Sequence, residues 1–221
     1  MTADEPTCWT MIHAAGAGDA AARAEFARLY EPVARAYFSA RWRGSSGRGS
    51  LDDAVQEVFV ECFKFNGVLA KAQDRESGGF RGFFHGVLRN LARRQEAGRA
   101  AAQPLVEDQA ADDPSLSAAF DKAWATSLLK EAARVQSETA IQAGERAVRR
   151  VELLRLRFQD GLPIRDIAEK WNEDPAKLHH EYALARDEFR AALHRVIAFQ
   201  TPHATAAELD DACRDLLALM R

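Results

Sequence analysis

The chain has 221 residues, enough for one large domain or two small ones, and its hydrophobic content of 47% supports packed cores and excludes global disorder. No apolar run approaches the roughly 20 residues needed to span a bilayer, so no membrane insertion is expected. A net charge of −3 does not by itself point to nucleic acid, but the charges are unevenly spread. Residues 1–100 hold 14 basic and 12 acidic side chains, 101–120 hold four acids and no base, and 121–200 hold 14 basic and 13 acidic. Two near-neutral blocks are therefore joined by an acidic stretch. The opening MTADEPTCW has acids and no basic region, so a secretory signal is not expected. Cys8, Cys62 and Cys213 are far apart and form no CxxC pair, which argues for a reducing cytoplasm and against a disulfide or zinc framework. The six histidines adopt no ligand spacing, and no cofactor is implied.

Apolar residues recur at spacings of three and four almost everywhere, and no alternating β-branched run suggests a strand, so an all-α protein is expected. An opening helix is followed by a stripe of Phe26, Leu29, Tyr30, Val33 and Tyr37. After the turn GSSGRGS, Val55, Val58, Phe59, Cys62 and Phe63 form another stripe. Ser50 is placed to cap this helix, with Asp52 and Asp53 near its positive dipole end. On the helix, Asp53, Glu57 and Glu61 stand four residues apart with Gln56 and Val60 beside them. Such an acidic ridge is ordinarily solvated surface. A like-charged i,i+4 series is nevertheless mildly destabilising, and a basic partner would relieve it.

Next comes GGFRGFFHGVLRNLARR. At about 100° per residue, Phe80, Phe84, Val87, Leu88 and Leu91 fall on one side. Arg81, His85, Arg89 and Arg93 fall on another, with Asn90 and Arg94 adjacent. Gly82 and Gly86 each cost roughly 1 kcal/mol in a helix interior, which suggests close approach by another element or a partner. A solvated basic face is the simpler alternative. The stretch AAQPLVEDQAADDPSLS has two prolines and four acids and reads as an extended linker around Pro104 and Pro114. The expected organisation is thus two small helical domains, 1–98 and 118–200, an acidic linker over 99–117, and an amphipathic tail over 201–221.

In the second block, RAVRRVELLRLRF is amphipathic, and QDGLPIRDIAEKWNEDPAKLHHEYALARDEFRAAL follows. Pro163 suits the first helical position, Ile164, Ile167, Ala168 and Trp171 form a buried stripe, and Asn172-Glu173-Asp174 makes a turn. Asp174 can cap a second helix that starts at Pro175 and buries Leu178, Tyr182, Ala185 and Phe189. Two short helices joined in this way form a helix-turn-helix, whose second member normally enters the major groove. His179, Arg186 and Arg190 share one side of that helix, and Lys177 and His180 project near its start. Arg and Lys there can neutralise phosphates, and His or Lys can touch base edges. Glu181, Asp187 and Glu188 oppose this. In the tail, Leu209, Cys213, Leu216 and Met220 repeat at 4-3-4, as in a helix that packs either on its own domain or on a regulator.

The order of these motifs resembles bacterial RNA polymerase sigma factors of the extracytoplasmic-function class, in the sigma-70 family, over residues 9–98 and 118–198. LDDAVQEVF is similar to the family segment that binds core polymerase, which implies contacts from Asp52, Asp53, Gln56, Glu57 and Glu61. GGFRGFFHGVLRNLARR is similar to the segment that opens and reads the −10 element, which implies DNA contacts from Arg81, Arg89, Asn90, Arg93 and Arg94, with Phe80, Phe83 and Phe84 packing beneath. FQDGLPIRDIAEKW and the next helix resemble the −35-reading helix-turn-helix, which implies Arg165, Lys177, His179, His180, Arg186 and Arg190. Its recognition helix departs from the family pattern at His179-His180-Glu181-Tyr182-Ala183-Leu184, where several expected bases are missing. Ser50 stands where many relatives have an acid; its phosphorylation by a regulatory kinase would restore that charge. The resemblance also implies control by an anti-sigma factor. The chain is expected to be a promoter-specificity subunit and no enzyme, since no Ser-His-Asp set, catalytic carboxylate pair or phosphate loop is present. A stand-alone helix-turn-helix regulator and a helical sequestering protein are the other classes compatible with these residues.

Overall fold

The computed structural model describes residues 7–43, 51–72, 79–100 (the backbone alone at 98–100) and 114–218. Within these residues every regular element is helical, in agreement with the expected all-α class. In chain order they are α1 (Cys8–Ala17), α2 (Ala20–Arg41), α3 (Leu51–Phe63), a 3-10 turn (Leu69–Lys71), α4 (Gly79–Ala100), α5 (Pro114–Ala143), α6 (Glu145–Phe158), α7 (Ile164–Trp171), α8 (Pro175–Gln200) and α9 (Ala206–Ala218). Contacts divide the chain into two compact units. One comprises Met1–Ser127 with Phe199–His203 and Ala218–Arg221, and the other Leu128–Ala198 with Ala204–Leu217.

The first unit starts from well-capped helices. The Thr7 hydroxyl accepts from the Thr10 amide in a capping box at the head of α1, and the Asp19 carboxylate accepts from the Ala22 amide at 2.7 Å at the head of α2. Helix α2 packs against α1, α3 and α4. Its stripe Phe26, Leu29, Tyr30, Val33 and Tyr37 is buried as expected. The core is an aromatic cluster in which Phe26 meets Phe59, Phe63, Phe80 and Phe84 edge-on, with centroids 5.6 to 6.2 Å apart. At the end of α2, Arg41 forks onto Glu96 of α4 at 2.7 and 2.8 Å, and the Trp42 indole donates to the same carboxylate at 3.1 Å.

The start of α5 departs from the expected linker. Pro114–Ser117 form its first turn, because a proline at the head of a helix gives up an amide that would have no intrahelical partner there. Beyond it, Phe120 and Trp124 do not begin a second domain. Trp124 stacks on Tyr30 (5.4 Å, 22° between planes), Phe120 stacks on His85 (4.5 Å, 30°), and the Ser127 hydroxyl donates to the Leu29 carbonyl at 2.7 Å. The boundary therefore falls inside α5 at Ser127, where large aromatic area is buried against α2 and α4. Gln200, near the end of α8, also belongs to this unit and hydrogen-bonds the Tyr30 hydroxyl.

In the second unit, α7 and the start of α8 close over α6. Leu153, Leu156, Ile164, Ile167, Ala168 and Leu178 form the core, with Leu162, Trp171 and Tyr182 packed at its margin. Helix α7 begins at Ile164, one residue later than expected, because Pro163 has extended backbone (φ −61°, ψ 151°) and serves as the cap. Asn172 ends α7 in the left-handed conformation (φ 51°), which asparagine tolerates better than most residues. The Asp174 carboxylate caps α8 through the Ala176 amide at 2.7 Å, as anticipated. Of the expected buried face of α8, Leu178 and Ala185 are buried and Tyr182 and Phe189 are half-buried. The helix continues to Gln200 and buries Ala192, Leu193, Val196 and Ile197. In the tail, Cys213 of α9 is buried and Leu209 and Leu216 are half-buried.

Candidate docking face and nucleic-acid interface

Helices α3 and α4 abut, and their facing edges carry opposite charge. Arg94 of α4 donates to Glu57 of α3 at 3.1 Å and lies 3.3 Å from Glu61. The neighbouring Gln95 amide donates to the other Glu57 oxygen. Glu61 also accepts from Lys64 at 2.5 Å, and Asp52 accepts from Arg35 of α2 at 2.7 Å. Glu57 and Glu61 of the like-charged series thus find counter-charges within the chain. The Lys64 hydrogen bond, followed by Arg94, holds the Glu61 carboxyl below its ordinary value of 4.5. Asp53 and Gln56 are exposed on the same helix. The acidic ridge and the cationic stripe, which the sequence presents as separate features, share Arg94.

The basic stripe of α4 is not a uniformly solvated face. Arg81 is ion-paired with Asp121 of α5, and its guanidinium lies 6.0 Å from the Phe120 ring centroid. His85 is held between Phe120 and Tyr37, whose ring meets it edge-on at 5.6 Å. Arg89 is half-buried, while Asn90, Arg93 and Arg94 are exposed. Phe80 and Phe84 are buried beneath and Phe83 is half-buried, in line with the expected core role of these rings. Close approach within the chain does not explain Gly86, since a Cβ there would meet no atom within 4 Å. The expected Ser50 cap, the turn GSSGRGS and Met220 lie outside the described residues.

In the second unit, Arg165, Lys177, His179, His180, Arg186 and Arg190 are all exposed. Arg165 lies on α7 and the other five on α8. Two of the acids that oppose a nucleic-acid reading are paired with a cation of α6. Arg150 of α6 forks onto Glu188 at 2.6 and 2.9 Å and reaches Glu181 at 3.3 Å, which draws both carboxylates toward α6. Asp187 stays exposed, 3.8 Å from Arg190. The Arg186 guanidinium lies 5.7 Å from the Tyr182 ring centroid. Among the residues that sequence reasoning missed, Arg150, Arg35 and Asp121 are all partners across helices. Helical periodicity reports which residues share a face and carries no signal for which face opposes it.

Comparison of the chain with family models, with curated proteins and with solved structures returns no match. No helix among the described residues is long and apolar enough to cross a membrane.

Proposed function

We propose that this chain is a promoter-specificity subunit of RNA polymerase, of the kind its motif order resembles. The acidic face of α3 docks on a cationic surface of core polymerase, and the exposed cations of α4 hold −10 promoter DNA beside it. The start of α8 supplies a second DNA contact at the −35 element. The observation that carries the reading is the junction of α3 and α4, where an acidic face and a cationic helix meet at Arg94. A cationic partner competes with Arg94 for Glu57 and Glu61 and so releases a guanidinium for phosphate. The chemistry of transcription belongs to polymerase in this scheme.

The test is co-migration of the purified chain with core RNA polymerase on a sizing column, followed by gel shifts on promoter DNA with and without the enzyme. Co-migration and a shift seen only with enzyme support the reading. A tight shift by the chain alone favours a stand-alone helix-turn-helix regulator, and failure to co-migrate removes the proposal.

A further inference from the structure

An isolated exposed apolar side chain has no meaning by itself. Phe65, immediately after α3, is different in how it is held. It is 92% exposed, the most exposed of the large apolar residues described. The turn displaying it is tightly built. Asn66 adopts a left-handed backbone (φ 50°), the Gly67 amide donates to the Lys64 carbonyl at 2.8 Å, and the Val68 amide donates back to the Glu61 carbonyl at 3.1 Å. Gly67 is buried so closely that a Cβ would lie 2.6 Å from the carbonyl oxygens of Glu61 and Lys64. The end of α3 is fastened in turn by Arg23, which donates to the Phe63 carbonyl at 2.8 Å with its guanidinium 5.2 Å from the Phe63 ring centroid. A left-handed non-glycine residue and an obligatory glycine thus fix the backbone that presents the ring to solvent. A rigid backbone lowers the ordering cost that a mobile loop would bring to an interface.

Phe65 stands at the end of the acidic face, one residue beyond the Glu61–Lys64 ion pair. Val60, 57% exposed, occupies the middle of that face, at helical spacing from Asp53, Gln56 and Lys64. Charged rims steer and orient a partner, whereas buried aromatic anchors carry most of the affinity. Glu57 and Glu61 are already paired within the chain, so exchange of ion pairs adds little net attraction, and an apolar contact must supply the rest. We propose that Phe65 is the anchor of the docking face and fills an apolar pocket in the cationic surface of core RNA polymerase. This inference rests on the function proposed above and names the residue that holds the complex.

The test measures the affinity of the full chain for core polymerase in three forms, the parent, Phe65→Ala and Phe65→Leu, with thermal melts of each. Because the ring is exposed, both variants are expected to melt with the parent. Phe65→Ala should weaken binding by about thirtyfold, as loss of an interface anchor does, and Phe65→Leu by less. Equal affinity of parent and Phe65→Ala overturns this inference and leaves the proposed function standing, whereas no binding by the parent overturns both. Should Phe65→Ala lower the melting temperature, Phe65→Leu decides: weakened binding at a parent-like melting temperature supports the anchor, and parent-like binding overturns it. A parent that sediments as a dimer when Phe65→Ala sediments as a monomer would assign the ring to a second copy of the chain and overturn the proposal.

Discussion

Both units contain an arginine that clasps two glutamates of a neighbouring helix, and the two clasps differ in depth. Arg150 reaches from α6 to Glu181 and Glu188 with its side chain only 17% exposed, and it meets Glu188 with two nitrogens. Arg94 reaches from α4 to Glu57 and Glu61 with its side chain 56% exposed, through a single nitrogen at 3.1 and 3.3 Å. The same pair of chemical groups therefore does different work. Water has largely left Arg150, so removing its acid partners strands a cation in a poorly hydrated place. Arg94 keeps its hydration and can exchange one anion for another at little cost. The shallow clasp suits a site that must open to a partner, and the deep one suits the framework behind an exposed helix.

The largest effect expected from this contrast is on stability in the second unit. Glu188→Ala should destabilise the protein by about 1–3 kcal/mol, since it leaves the largely buried Arg150 guanidinium without its fork. Urea melts followed by circular dichroism will measure it, and a loss no larger than that of Arg94→Ala would erase the distinction between the clasps. Arg94→Ala should cost less than about 1 kcal/mol of stability, as exposed pairs do, and a double-mutant cycle with Glu57→Gln should give a coupling of a few tenths of a kcal/mol that fades with salt. Under the proposed function the same variant loses promoter binding in the polymerase complex, which separates its structural from its functional share.

The smallest expected effect is on acid sensitivity. The Glu61 carboxyl is lowered first by Lys64 and then by Arg94, and that of Glu152 in the second unit by Arg155. A carboxyl held below its ordinary value contributes stability that is present above about pH 4.5 and is lost as pH falls through the lowered value. Both units should therefore weaken in this acid window. Arg94→Ala should reduce the acid sensitivity of the first unit only slightly, because Lys64 remains. Acid titrations of thermal melts check this, and disappearance of the sensitivity in Arg94→Ala would mean that Arg94, not Lys64, dominates.

The contrast also marks what could be read without coordinates. The stripes Phe26–Tyr37 and Ile164–Trp171 were legible because a helix buries every third or fourth residue, and a run of bulky apolar side chains at that spacing has few other uses. The Asp174 cap was legible because its hydrogen bond closes within two residues. The acidic ridge and the basic stripe were visible as composition on helix faces, but their sharing of Arg94 was not, because Arg94 and Glu57 are 37 residues apart. The partners of Phe120 and Trp124 were not legible for a related reason: a proline and a run of acids look like the end of one domain, whereas Tyr30 and His85 are on other helices.

The sequence alone determined the helices, their buried faces and the sign of the charge on the exposed ones, since these follow from spacing and hydration over a few turns. The tertiary structure decided which charges are already paired, where one unit ends inside α5, and which ring is held out to solvent. Those depend on where helices distant in sequence come to lie, and side-chain pairing across them is set by packing that no local pattern encodes.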